Sequence, residues 1–131
     1  MFLIDTDILI FALKGFPPVV ENFRRHHSLP KSLSVISLGE LLHGARKSSA
    51  PIKNLALVRE MTDIYPVHPL TPPVMETFAE LKSSLEKSGE KLDDFDLLIA
   101  ATALNHHLTL VTNNTRHFKR IRELSLENWA E

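Results

Sequence analysis

The chain has 131 residues, 44% hydrophobic and 24% charged, with 15 Lys or Arg, 16 Asp or Glu, seven His and no Cys. That length fits one domain with room for a proper core, and the balance is that of an ordinary globular protein. Without cysteine there are no disulfides, thiolate zinc sites or cysteine nucleophiles; with no membrane-length apolar run and no signal-peptide pattern, a cytoplasmic protein with no membrane partner is expected.

The chain opens on Phe2-Leu3-Ile4, an apolar run that predicts a buried strand, and then presents Asp5-Thr6-Asp7. Thr6 or Asp7 is placed to cap a short helix over Ile8–Leu13 that stops near Gly15. Pro17-Pro18 suits the first turn of a second helix, Val19 to His26, closed by Pro30. Leu33–Ile36 predicts a second strand, and Ser37-Leu38-Gly39-Glu40 has the form of a capping box opening a helix to Lys47. Pro51 starts the next helix, Ile52 to Ile64. The prolines of Tyr65–Leu70 suit an edge strand. Thr71-Pro72 signals a helix through Leu85 that Gly89 ends. Asp93 or Asp94, with Asp94 the better placed, caps the most apolar helix, Phe95 to His106. Leu108–Val111 is the next strand, followed by the polar turn Thr112-Asn113-Asn114 and a basic helical turn. Ile121–Leu126 is expected to add a last edge strand. The alternation predicts a single three-layer α/β/α domain over residues 1–131 with a mostly parallel central sheet.

In such a sheet, the ends of the strands and the starts of the helices that follow them share one edge, where ligands bind. Asp5, Glu40, Asp96 and the Thr112–Asn114 turn all fall there. Converging carboxylates repel one another, and a cation is the usual remedy. Oxygen-only ligands suit Mg²⁺ or Mn²⁺, and such a site activates water and stabilises charge developing on a phosphodiester. Plainer roles stand beside this one. Glu40 has the spacing of a capping partner for Ser37, and Asp93, Asp94 and Asp96 all answer the free amides at a helix start. Helical spacing puts Asp96 on one face with small Ala100 and Ala103 near it, leaving room for a metal or phosphate.

Other motifs fit less well. Asp5-Thr6-Asp7 resembles the opening of haloacid-dehalogenase-like phosphatases, but in that family the last acidic pair follows the threonine, whereas Asp93-Asp94 precedes Thr112. Glu40-x-x-His43 has the spacing of half a di-iron site, and only one copy exists. His26-His27 and His106-His107 are adjacent pairs whose members diverge on a helix, which suits surface or helix-end positions.

Taken together, Leu3-Ile4-Asp5-Thr6-Asp7, Ser37-x-x-Glu40-Leu41, Phe95 to Ala103, Leu110 to Phe118 and the closing Leu126-Glu127-Asn128-Trp129 resemble PIN-domain ribonucleases, in particular the VapC toxins of toxin–antitoxin pairs. The resemblance covers nearly the whole chain in order. It implies that Asp5, Glu40 and Asp96 form an acidic Mg²⁺ or Mn²⁺ site, with Thr6, Thr112, Asn114 and His117 as supporting polar groups. It implies metal-dependent endonucleolytic cleavage of structured RNA, tRNA or rRNA, by a homodimer held in check by a VapB-type antitoxin. The helices at Val19–His26 and Ile52–Ile64 match the pair that contacts antitoxin and second protomer. Two positions depart: many relatives carry Asn in place of Asp7, and the fourth family acid is replaced by His117.

The charge distribution adds a candidate substrate surface. Residues 1–59 carry eight basic residues against four acids, residues 60–96 three against nine, and Arg116, Lys119 and Arg120 group together near the C-terminus. These three are candidates for contact with the RNA backbone, beside the plainer reading of a solvated helix end. A non-catalytic PIN-like binding module and a metal-dependent phosphatase are the competing functions.

Overall fold

A computed structural model describes all 131 residues. Five strands, β1 (Phe2–Ile4), β2 (Lys31–Ser34), β3 (Val67–His68), β4 (Thr109–Val111) and β5 (Leu126–Glu127), form one sheet in the order β3-β2-β1-β4-β5. Every neighbouring pair is parallel. The helices are α1 (Thr6–Leu13), α2 (Pro17–Arg25), α3 (Val35–Arg46), α4 (Pro51–Ile64), α5 (Pro72–Ser88), α6 (Asp94–Asn105) and α7 (Thr115–Phe118).

Alternation along β1 divides the core. Phe2 and Ile4 join Ile8, Leu9, Val19, Leu41, Val58, Met61 and Trp129 on one face of the sheet. Leu3 joins Leu85, Leu97, Ile99, Ala100, Leu110 and Phe118 on the other. The first face is aromatic: Trp129 meets Phe2 and Phe23 edge-on at 5.1 and 5.2 Å and stacks on His26 at 4.8 Å. The second is mainly aliphatic, with Phe118 its one fully buried ring. Ala100 and Ala103 are fully buried within it, so they bring α6 close to the sheet and do not open the space for an ion or phosphate that their size invited.

Several boundaries move. The second strand is Lys31–Ser34, two residues earlier than Leu33–Ile36, because its pairing with β1 begins at Lys31 and Ser34 pairs with His68. Ser34 therefore caps α3, accepting from the Ile36 amide at 3.0 Å, and the Ser37–Glu40 capping box does not form. Ser37 lies buried in the helix and Glu40 comes a turn further on. Asp5, for which no capping role was expected, is the N-cap of α1, ahead of both Thr6 and Asp7. At α6 the N-cap is Asp93, not Asp94, whose carboxylate instead takes Lys82 Nζ at 2.9 Å. The final strand shrinks from Ile121–Leu126 to Leu126–Glu127, since Ile121 and Leu124 turn into the core. The histidine pairs do sit at helix ends: His26 and His106 are the C-caps of α2 and α6.

The strand order places β1 at the centre. The chain winds outward through β2 and β3, then returns to add β4 on the opposite side of β1. The carboxyl ends of β1 and β4 thus flank the point where the winding reverses, which is where ligands bind in open parallel sheets. Asp5 follows one of those strands and Thr112 the other.

Candidate metal centre

Asp5 is 7% exposed and is held from both sides. Its Oδ1 accepts from the Thr6 amide at 2.8 Å, and its Oδ2 accepts from the Thr112 hydroxyl at 2.8 Å. Thr112 is itself fully buried, with its amide donating to Glu127 O at 2.9 Å and its hydroxyl accepting from the Asn114 amide at 3.0 Å. Across the fold, Thr6 Oγ1 lies 2.6 Å from Glu40 Oε1 and 2.9 Å from Ser37 Oγ. A hydroxyl has one hydrogen. The shorter contact to a carboxylate takes it, and Ser37 then donates to Thr6. One threonine on α1 thereby orients the glutamate of α3.

Asp7 is more central than a helix cap or outer acid. Its Oδ1 takes the Ile8 amide at 2.7 Å, and its Oδ2 takes the Asn113 amide at 3.0 Å, tying α1 to the turn after β4. It is also the charge that bears most on Asp5. Burial, then the Asp7 charge, push the Asp5 carboxyl up to about 7, against the hydrogen bonds from Thr112 and the Thr6 amide, with the Asp96 charge adding to the rise. Asp7 is raised by its burial and by Glu40, against its amide hydrogen bonds. Asp96 is raised by burial and by Asp93, Glu40 and Asp7, while His117 pulls it down. Asp5, Asp7, Glu40 and Asp96 therefore share one electrostatic neighbourhood. The molecule's two side-chain ion pairs, Arg24–Glu21 and Lys82–Asp94, lie outside it.

This donor set suits an oxygen-seeking divalent cation: hard carboxylate oxygens that raise one another, hydrogen-bonded, and with His117 beside Asp96 as the basic side chain acting on them. As the side chains stand, no three acids or histidines are drawn together closely enough to hold an ion directly. Mg²⁺ keeps several waters between itself and its protein ligands, so a site for it does not require three side chains in direct contact with the ion.

The supporting residues fall unequally. Asn114 is the N-cap of α7, and exposed His117 stands on that short helix near enough to Asp96 to act on its charge. Arg116 and Lys119 are exposed on the same turn. Arg120 is half-buried and donates to Lys91 O at 2.7 Å, in a groove of about 600 Å³ against α5 that also contains Arg122, Glu80, Glu90 and Glu123. Asp5, Asp7, Glu40 and Asp96 do not line that groove; Glu40 lines another, with Lys14, Leu41 and Asn54. Asp7 is the residue that sequence reasoning undervalued. The signal available was its position two residues after Asp5, which a first helical turn folds back over the strand end.

Comparison with known proteins identifies the family. The family described as PIN domain covers residues 2–124. The chain is 34% identical over 132 residues to a tRNA(fMet)-specific endonuclease VapC of Salmonella typhimurium, covering 98% of both chains. It is 31% identical over 129 residues to ribonuclease VapC2 of Haemophilus influenzae, again covering 98% of both. Among solved structures, the fold matches VapBC2 of Rickettsia felis bound to a DNA fragment from its promoter, with a TM-score of 0.90, 31% identity and 98% of each chain covered. DNA-bound VapBC of Salmonella typhimurium also matches at a TM-score of 0.90, with 33% identity over 98% of this chain and 97% of that one. The chain belongs to the PIN-domain family and, within it, to the VapC ribonucleases.

Proposed function

We propose that this protein is a Mg²⁺- or Mn²⁺-dependent endoribonuclease, the toxin of a VapBC-type pair, acting on structured RNA such as tRNA or rRNA. The observation that carries the reading is the group Asp5, Asp7, Glu40 and Asp96 at the winding reversal of a PIN-family sheet, where Asp5, Asp7 and Asp96 are raised by burial and then by neighbouring acids. Membership of a family whose relatives are named ribonucleases or tRNA endonucleases supports the substrate class over a phosphomonoester, and favours catalysis over binding alone.

Asp5, Asp96 and Glu40 would hold the cation, which when bound supplies an activated water and a countercharge for the phosphodiester. Everything else is done by the chain. Thr112 and the Thr6 amide fix the direction of the Asp5 carboxylate, while the Thr6 hydroxyl does the same for Glu40. Asp7 holds the Asn113 amide, and with it the polar turn, against α1. His117, exposed beside Asp96, is placed to meet a phosphate oxygen or to hold a water. Arg116 and Lys119 face solvent on the same turn and suit the RNA backbone. Arg120 is the weakest of the three, since its guanidinium is already used at Lys91 O.

The partners follow from the relatives. The matched Rickettsia and Salmonella structures are VapBC assemblies, which supports a VapB-type antitoxin, and a homodimer is the assembly we expect. With purified protein and Mn²⁺ or Mg²⁺, a structured RNA should be cut, and EDTA or Asp5→Asn should stop the reaction. Undiminished cutting by a clean Asp5→Asn preparation would overturn the mechanism.

A further inference from the structure

The polar turn after β4 is held from a direction that the carboxylate chemistry does not explain. Asn113 donates its amide to Asp7 at 3.0 Å, and its side-chain Oδ1 accepts from Asn128 Nδ2 at 3.1 Å. Asn128 is itself fixed. Its Oδ1 accepts from the Ala130 amide at 2.9 Å, which leaves the Nδ2 end to face Asn113. The residue before it, Glu127, lies in the sheet ladder and accepts from the Thr112 amide at 2.9 Å. The residue after it, Trp129, is 2% exposed, packs on Phe2, Phe23 and His26, and has its carbonyl bonded by Asn22 Nδ2 at 3.2 Å. An asparagine between two anchored neighbours loses little further freedom when it makes its contact.

We propose that Asn128 is a positioning residue for the carboxylate site: through Asn113 it braces the 112–114 turn, which keeps the Thr112 hydroxyl on Asp5 and the Asn113 amide on Asp7. The C-terminal segment is then a working part of the site and more than a plug for the core. The functional consequence rests on the proposed role of Asp5 in holding a metal. The brace itself does not.

Amide hydrogen exchange in metal-free protein, followed by NMR, tests the brace without reference to activity. In Asn128→Ala and in Asn113→Ala, exchange at residues 113 and 114 should rise about two- to tenfold, the range for one solvent-accessible hydrogen bond. Leu110 and Val111 should be unaffected. The double variant should be no faster than either single one, because both remove the same contact. Asn128→Asp should restore protection: its carboxylate still accepts from Ala130 and takes a bond from a turned-over Asn113 amide. Unchanged exchange in both single variants, or additive effects in the double, overturns the brace. With Mn²⁺ and RNA, Asn128→Ala should lower kcat by a similar factor at nearly constant KM, and Asn128→Asp should recover it. Full kcat despite faster exchange would show that the turn does not position the site. Wild-type protein that fails to cut RNA with metal would refute the nuclease reading and leave the exchange result to decide the brace.

Discussion

The two edges of the sheet treat buried polar groups in opposite ways. At the amino edge, Lys31 is 8% exposed, and its ammonium donates to the carbonyls of His26 and Leu29 at the end of α2, where a positive charge is welcome. Ser32 donates to Phe2 O at 3.2 Å and so accepts from His68 Nε2–H at 3.0 Å, and the His68 ring stacks on His106 at 4.3 Å. Each group there is satisfied by a neutral partner. At the carboxyl edge the acids are also hydrogen-bonded, but they face one another. The first edge is satisfied from within, and the second holds a charge deficit that His117 offsets at Asp96 and nothing in the chain offsets at Asp5 or Asp7.

The largest expected effect comes from removing the central acid. Asp5→Asn should reduce cleavage at least about a hundredfold, as loss of a group acting on developing charge does. It should also relieve the burial of a charge in the metal-free protein at neutral pH, by less than the roughly 4 kcal/mol of the whole rise to about 7, because the Asn NH₂ cannot accept the Thr112 hydroxyl. Urea melts in EDTA measure this. A variant that keeps the wild-type loss of stability between pH 4 and 7 would mean that the carboxyl edge holds no such deficit.

The pH dependence should separate the edges next. The folded Asp5 carboxyl lies above its unfolded value, so its contribution is fully present below about pH 4 and is lost as pH rises through about 7. His68 runs the other way. Burial, the neighbouring His106 and the N-terminal amine push it below its usual value, so its contribution is present above its unfolded range and is lost as pH falls through its lowered folded value. In metal-free melts, Asp5→Asn should flatten the loss between pH 4 and 7, and His68→Gln should reduce the loss on acidification. Mn²⁺ should raise Tm mainly on the alkaline side, where Asp5 is ionised.

Lys31→Met should cost about 1–3 kcal/mol by stranding the carbonyls it serves, yet leave cleavage per folded molecule unchanged. A change in kcat from that distance would undo the division between edges. The smallest effect is expected at His107, whose φ of 54° lies in the left-handed region at the end of α6. His107→Gly should gain about 0.5–1 kcal/mol in thermal melts, again without changing cleavage.

Most of the architecture was legible because its signals are local. Proline pairs start α2 and α5, Gly89 ends α5 with a φ of 75°, and short apolar runs become parallel strands. The errors arose where a distant partner decides. Ser34 and Ser37 are equally good caps in isolation, and the pairing of Ser34 with His68 set where β2 ends and which serine was left to cap α3. Asp5 and Asp96 were identifiable by type and by their place at strand and helix ends. Asp7 was undervalued because its partner, the Asn113 amide, is 106 residues away. No reading by residue type assigns a role to Asn128, since its contact exists only once β5 and Trp129 are in place.

The central position of β1 has a consequence for when the site can exist. The residues made first are those the sheet encloses last: Phe2–Ile4 pair with β2 early, but their other neighbour begins at Thr109. The Asp5–Thr112 bond spans 107 residues, and Trp129 packs against Phe2 from the far end of the chain. Local helices form long before contacts of such separation do. A ribosome making this protein therefore carries an unassembled site until nearly all of the chain has emerged. A ribonuclease built this way has no assembled carboxylate site until its last parallel strands are in place.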